Sequence, residues 1–213
     1  MDEPLLSTGL RDYLDALVPA RLPELQRMEA YAQERDFPII GPLVGYFCYQ
    51  ITRLIGARKV FELGSGYGYS TAWFAQAVVE NGGGLVHHVV WNENLSRRAR
   101  KHLDILGFGE VVQYHVSEAI QALESTPGPF DLIFNDINKQ DYPNSLPVIA
   151  KKLRPGGALI VDNMLWSGRI FNEDDQSAST QGIRAFTRMI TQDPAWIATL
   201  VPIRDGLILG FKK

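Results

Sequence analysis

The stretch Glu62-Leu63-Gly64-Ser65-Gly66-Tyr67-Gly68-Tyr69-Ser70 closes an apolar run and leads directly into Thr71-Ala72-Trp73-Phe74-Ala75, a helical pattern. Glycines at the carboxyl end of a strand let the backbone come close to a ligand, and the helix that follows offers unpaired N–H groups to an anion. A carboxylate or a phosphate fits such a turn. The spacing is Gly-x-Gly-x-Gly rather than the Gly-x-Gly-x-x-Gly of pyrophosphate binding. Glu62 beside the turn repels a diphosphate and attracts an ammonium, so a small molecule with an amino-acid end meets both demands.

Two further stretches carry oxygen donors. Phe130-Asp131-Leu132-Ile133-Phe134-Asn135-Asp136 continues through Lys139 to Tyr142, and Leu159-Ile160-Val161-Asp162-Asn163 continues through Trp166 to Gly168. Asp136 and the Asp162-Asn163 pair fall where two neighbouring strands are expected to end, on the same rim as the glycine turn. One aspartate at a strand end is commonly a cap. Three oxygen donors together suit a hard divalent cation whose remaining positions go to water or substrate. His87 and His88 alternate on a strand without a further ligand at metal spacing, and are expected to be hydrogen-bonded or exposed with no chemistry. The Arg97-Arg98-Arg100-Lys101 cluster reads as a solvated helix face, and Trp166 either packs in the core or stacks on an aromatic acceptor.

These residues need a sheet to hold them. Short apolar runs at Lys59–Leu63, Leu85–Trp91, Val111–Val116, Phe130–Asp136 and Ala158–Asp162 alternate with helical stretches near Ser70–Val79, Leu95–Leu106, Ser117–Leu123 and Asn144–Leu153, the pattern of a parallel sheet covered on both faces. Pro155-Gly156-Gly157 is expected to start the fifth strand. Ile197–Ile203 and Leu207–Phe211 are separated only by Arg204-Asp205-Gly206, too short for a crossover helix, so they must pair antiparallel. From Leu10 to Ile55 apolar residues recur at three and four, as in Leu10, Leu14 and Leu17, which predicts helices interrupted at Pro38 and Gly41-Pro42. The expected fold class is α/β: a Rossmann-like, doubly wound, seven-stranded sheet, mostly parallel with an antiparallel C-terminal hairpin, plus N-terminal helices. Asn172 to Gly182, rich in acid, Ser, Thr and Gln, is the candidate mobile loop.

A chain of 213 residues accommodates one large α/β unit more easily than two small ones, at roughly 150 residues per domain. A single domain over 1–213 is therefore expected, with 1–55 as a helical cap and 56–213 as the core. The formal net charge of -3 gives no positive excess to draw the protein onto nucleic acid or an anionic membrane. Met1-Asp2-Glu3-Pro4 lacks a basic, apolar leader, and no stretch reaches the ~20 apolar residues of a membrane span. The lone cysteine, Cys48, has apolar neighbours and reads as a small buried hydrophobe. A reducing, cytoplasmic setting is expected.

With the glycine turn and the two acid-bearing stretches in hand, the sequence resembles the cation-dependent O-methyltransferases, the group containing plant caffeoyl-CoA O-methyltransferases, their bacterial relatives and animal catechol O-methyltransferase. The resemblance runs from about Pro38 to Lys213 and includes the closing Arg204-Asp205-Gly206. It implies S-adenosylmethionine (SAM) as cofactor, a divalent cation (Mg²⁺, Mn²⁺ or Ca²⁺), and methyl transfer to a hydroxyl of a catechol-like or phenylpropanoid-like small molecule. By the resemblance Asp136, Asp162 and Asn163 are metal ligands and Lys139 is the general base, with Asp136 acting beside it. The same resemblance implies that Ile40, Glu62, Gly64, Ser65, Gly66, Ser70, Ala119 and Asp136 contact the cofactor, and, members of the family being commonly homodimers, a homodimer is expected.

Two positions depart from the family pattern. Val90 stands where the family carries the acid that binds the ribose hydroxyls, with Glu93 as a substitute three residues on, and Asn138 replaces the second acid of Asp-x-Asp. They leave open an alternative, a catalytically impaired methyltransferase-fold binding protein with a degenerate cofactor site. A nicotinamide-dependent oxidoreductase shares the sheet plan but is disfavoured by the glycine spacing and the hairpin.

Overall fold

Strands rich in Val, Ile, Leu and Phe, buried on both faces, organise the molecule. The computed structural model describes residues 7–213, so the acidic start at Met1–Pro4 lies outside them. Seven strands form one sheet: β1 (Lys59–Leu63), β2 (Leu85–Val90), β3 (Val112–Val116), β4 (Phe130–Asn135), β5 (Leu153–Val161), β6 (Trp196–Val201) and β7 (Leu207–Lys212). Their spatial order is β3-β2-β1-β4-β5-β7-β6. The first five run parallel, while β7 lies antiparallel between β5 and β6. The expected fold and the expected terminal hairpin are both present.

Successive strand residues face opposite sides, and each side has its own helices. On one side Val60, Val86, Leu132 and Ile160 join Val44, Cys48 and Phe74. These last three come from α3 (Gly41–Leu54) and α4 (Tyr69–Glu80). On the other side Phe61, Leu63, Val89, Ile133 and Leu159 pack with Leu123, Leu146 and Phe186. Those are contributed by α6 (Ala119–Ser125), α7 (Tyr142–Lys152) and α8 (Ala178–Gln192). The N-terminal region is helical, with α1 (Thr8–Ala16) and α2 (Pro23–Arg35) ahead of α3. No described helix is long and apolar enough to cross a membrane.

Several boundaries shift for local reasons. β2 stops at Val90 because the Asn92 side chain already caps α5 (Glu93–Ile105), accepting from the amides of Asn94 and Leu95. Leu153 already pairs with Phe130, so the Pro155-Gly156-Gly157 turn is an irregularity within β5 rather than its beginning. Asp136 and Asp162 each lie one residue past their strands. The largest correction is α8. Residues 178–182, expected in a loop, are its first turn, started by the Ser177 hydroxyl, which accepts from Thr180 N. The helix buries Ile183, Phe186 and Ile190, a helical spacing that the polar stretch before it obscures.

Arg97, Arg100 and Lys101 are exposed as expected, whereas Arg98 is half-buried with its guanidinium 4.0 Å over the Tyr31 ring. Cys48 is buried and its thiol is pushed well up by burial, as an inert core residue requires.

Candidate active site

The strand order reverses between β1 and β4, and loops leaving neighbouring parallel strands in opposite directions open a crevice at their carboxyl ends. The glycine turn follows β1 and Asp136 follows β4, so both fall at this switch point. They touch: Asp136 N donates to Leu63 O at 2.9 Å, and a Cβ on Gly64, at φ 87°, would strike the Asp136 carbonyl. Only glycine satisfies both the left-handed backbone and that approach. Ser65 fixes the turn from the other side, exchanging N–H···O bonds of 2.9 Å with Val89 through its backbone and its hydroxyl.

Glu62 is fully buried beneath the turn. Thr71 Oγ1 donates to its Oε2 at 2.5 Å and lies 3.0 Å from His88 Nδ1, while Oε1 has no partner. Burial holds His88 neutral, pushed down to about 3, so Nδ1–H can donate to Thr71 and orient the hydroxyl at Glu62. Burial also raises Glu62 to about 7, opposed by the hydroxyls of Ser70, Thr71 and Ser65 and reinforced by the charge of Asp136. A buried carboxylate with one orphaned oxygen suits a ligand ammonium. Of the two expectations for His88, hydrogen-bonded or exposed, the first holds: it is buried behind the turn against Thr71. His87 faces the opposite side of the sheet, 3.0 Å from His115, stacked on Phe61.

Asp136 and Asp162 form the second centre. Desolvation raises both, and each feels the other or its neighbours: Asp162 reaches about 7 through burial and the Asp136 charge, against Arg204, the Asn163 N–H and Lys139. Asp136 is raised by burial against Lys139 and Arg204. Lys139 Nζ donates to Asp136 Oδ1 at 2.6 Å and to Ile137 O at 3.2 Å. It sits 5.3 Å from the Tyr142 ring and 5.9 Å from the Trp166 ring. Gly182 of α8 presses on the short helical turn Lys139–Asp141, since a Cβ there would lie 2.8 Å from Gln140 Cα. Thus α8 backs the lysine.

Asn163, at φ 58°, donates its amide to Asp205 Oδ2 at 3.2 Å, which leaves its carbonyl oxygen as the free end. Asp205 also receives Ser167 N at 2.5 Å, and Tyr142 Oη donates to Asp162 O at 2.9 Å. Sequence reasoning passed over Asp205, Tyr142 and Thr71; a carboxylate kept inside a three-residue hairpin turn was the available signal for the first. Among the described residues no group of three His, Cys, Asp or Glu side chains has metal-ligand spacing. A cation here would have two carboxylates and an amide oxygen, a hard-oxygen set that fits Mg²⁺, Mn²⁺ or Ca²⁺ in donor chemistry.

Glu62, Gly64, Ser65, Gly66, Ser70, Asp136, Lys139, Asp162 and Asn163 therefore gather at one end of the sheet. Ile40 is buried at the start of α3, and Ala119 opens α6 beyond β3 on the same edge. Val90 is 6% exposed and supplies no acceptor at the end of β2; Glu93 begins α5 on the surface. Asn138 is exposed and makes no cap bond. Phe37 closes over the glycine turn, 3.5 Å from the position of a Cβ on Gly66. Beside it a cleft of about 370 Å³ runs between the α2–α3 connection and Arg204.

Residues 17–213 match the family described as O-methyltransferase. A catechol O-methyltransferase from Niastella koreensis is 30% identical over 183 residues, covering 82% of this chain and 82% of that protein. An O-methyltransferase from Bacillus cereus solved with S-adenosylhomocysteine (SAH) superposes with a TM-score of 0.87 at 26% identity, covering 97% and 98% of the two chains. One from Streptomyces achromogenes, involved in tomaymycin synthesis and solved with SAM, gives 0.86 at 27% identity over 96% of each.

Proposed function

This chain belongs to the SAM-dependent O-methyltransferase family, and on that premise we propose that it methylates one of two vicinal hydroxyls on a catechol-like or phenylpropanoid-like aromatic with the help of a divalent cation. The observation that supports this reading is the meeting of three buried or partly buried carboxylates, Glu62, Asp136 and Asp162, beside one glycine turn at the switch point. When bound, SAM supplies an electrophilic methyl and the cation lowers the pKa of an oxygen it polarises.

Every other task falls to the chain. Ionised Glu62 would hold the cofactor ammonium through its orphaned Oε1, and the N–H groups of the first turn of α4, which no side chain caps, would take its carboxylate. Asp136, Asp162 and the carbonyl end of Asn163 would hold the cation, and Asp205, by taking the Asn163 amide N–H, leaves that carbonyl oxygen free for it. Lys139 Nζ would receive the acceptor's hydroxyl proton on its lone pair as the neutral amine, becoming the ammonium, while one N–H stays on Asp136 Oδ1 and α8 backs it from behind. Phe37 over Gly66 keeps water from the transfer path.

A homodimer in a reducing compartment completes the proposal. Leu10 and Tyr13 on α1, Leu17 just after it, and Ile197 and Phe211 on the terminal hairpin expose apolar surface that a second copy would cover, and the buried Cys48 accords with the compartment. Val90 and Asn138 favour the second reading, a binding protein with a degenerate cofactor site.

The experiment is turnover of a dihydroxyphenol panel with SAM, with and without EDTA, beside calorimetry of SAM binding. Methylation that stops on chelation is expected. Methylation unchanged by EDTA removes the cation; micromolar SAM binding counts against the second reading, and absence of both SAM binding and turnover selects it.

A further inference from the structure

Arg204 stands out on the cleft beside the candidate site. It is a non-glycine residue in the left-handed region, at φ 51°, in a turn held by Gly206 N to Ile203 O at 2.9 Å and by Leu165 N to Asp205 O at 2.8 Å. Its guanidinium lies 3.8 Å from the position of a Cβ on Gly41, and the side chain lines the 370 Å³ cleft. Among the described residues it makes no hydrogen bond or ion pair with a protein group. The carboxylates on the same cleft do not claim it: Glu29 is held by Arg21 at 2.9 Å and by Tyr69 at 2.8 Å. Ala32, Phe37, Pro38 and Ile39 give the same cleft an apolar part of its lining. Gly41 opens α3, whose first turn carries no acid, so helix electrostatics do not explain a cation there.

We propose that Arg204 recognises an anionic group on the acceptor, so that the preferred substrates are dihydroxyaromatic carboxylates with the flat ring against Phe37 and the carboxylate on the guanidinium. This rests on the O-methyltransferase reading and names its substrate class. A guanidinium matches a carboxylate with two parallel N–H···O bonds. A carboxylate suits the cleft better than a phosphate dianion, because Glu29 and Asp36 line the same space and repel the second charge. The guanidinium also lies within electrostatic reach of Asp136 and Asp162, so the cleft adjoins the acid cluster.

The test uses the protein saturated with SAH and Mg²⁺, titrated with 3,4-dihydroxybenzoate and with its methyl ester, as wild type, Arg204→Lys and Arg204→Gly. Glycine suits the backbone at this position, so that variant keeps its fold. Wild type is expected to bind the acid about tenfold more tightly than the ester, the lower end of a charge-assisted bond because the guanidinium is exposed. Arg204→Gly should bring the ratio to about one without changing ester affinity, and Arg204→Lys should keep part of it. A wild-type ratio near one, a ratio unchanged in Arg204→Gly, an equal loss for both ligands as for a mere counter-charge, or binding of neither ligand overturns the proposal. Methylation of the ester is scored separately: its absence counts against the transferase reading, while the acid-to-ester binding ratio still decides Arg204.

Discussion

Replacing Glu62 by Gln is expected to stabilise the ligand-free protein and to weaken its hold on SAM, both from one cause. Glu62 is fully buried and its carboxyl is raised from the usual 4.5 to about 7, first by desolvation. A carboxyl raised in the folded state favours folding while it stays protonated. That stability is complete below pH 4.5, the unfolded value, and is lost as pH rises toward 7. The separation corresponds to roughly 3 kcal/mol. Glu62→Gln keeps the shape and an acceptor for Thr71 without the charge, so the variant should match wild type near pH 4.5 and exceed it by up to about 3 kcal/mol at pH 8. Asp162 is raised over the same window, but it is present in both proteins, and the difference between them isolates Glu62. Urea denaturation from pH 5 to 8 in EDTA measures the stability arm, and calorimetry with SAM at pH 8 measures the other. Losing a charge-assisted contact of about 1.5–3 kcal/mol should raise the Kd at least tenfold. Parallel pH curves for the two proteins, or an unchanged Kd, would refute the reasoning.

Val90→Asp places an acceptor where β2 ends without one, and should tighten SAM binding about tenfold or more in calorimetry while lowering the Tm of the free protein. Lys139→Met should lower kcat by about 10² to 10⁴ with SAM affinity within about twofold; a kcat within threefold of wild type would remove Lys139 as base. Gly64→Ala drives a methyl into the Asp136 carbonyl at a left-handed position, so a loss of at least about 1–3 kcal/mol in denaturation and of SAM binding is expected.

The short apolar runs between helical stretches, the glycine turn and the short Arg204-Asp205-Gly206 connection are local facts, and they carried the sheet, its antiparallel end and the grouping of Asp136 with Asp162-Asn163. They suffice because strand direction follows from connection length, and strand ends of a parallel sheet share one rim. What lay beyond the sequence depends on partners distant along the chain. Glu62 has its Thr71–His88 support only because α4 lies on β1 and β2. Asn163 is held by a carboxylate 42 residues away, and Lys139 is backed by Gly182 of a helix that read as loop. Burial, and with it the raised carboxyls of Glu62 and Asp162, is a property of the packed solvent-free interior. No window of sequence contains that interior, because it forms only when elements far apart in the chain close on one another.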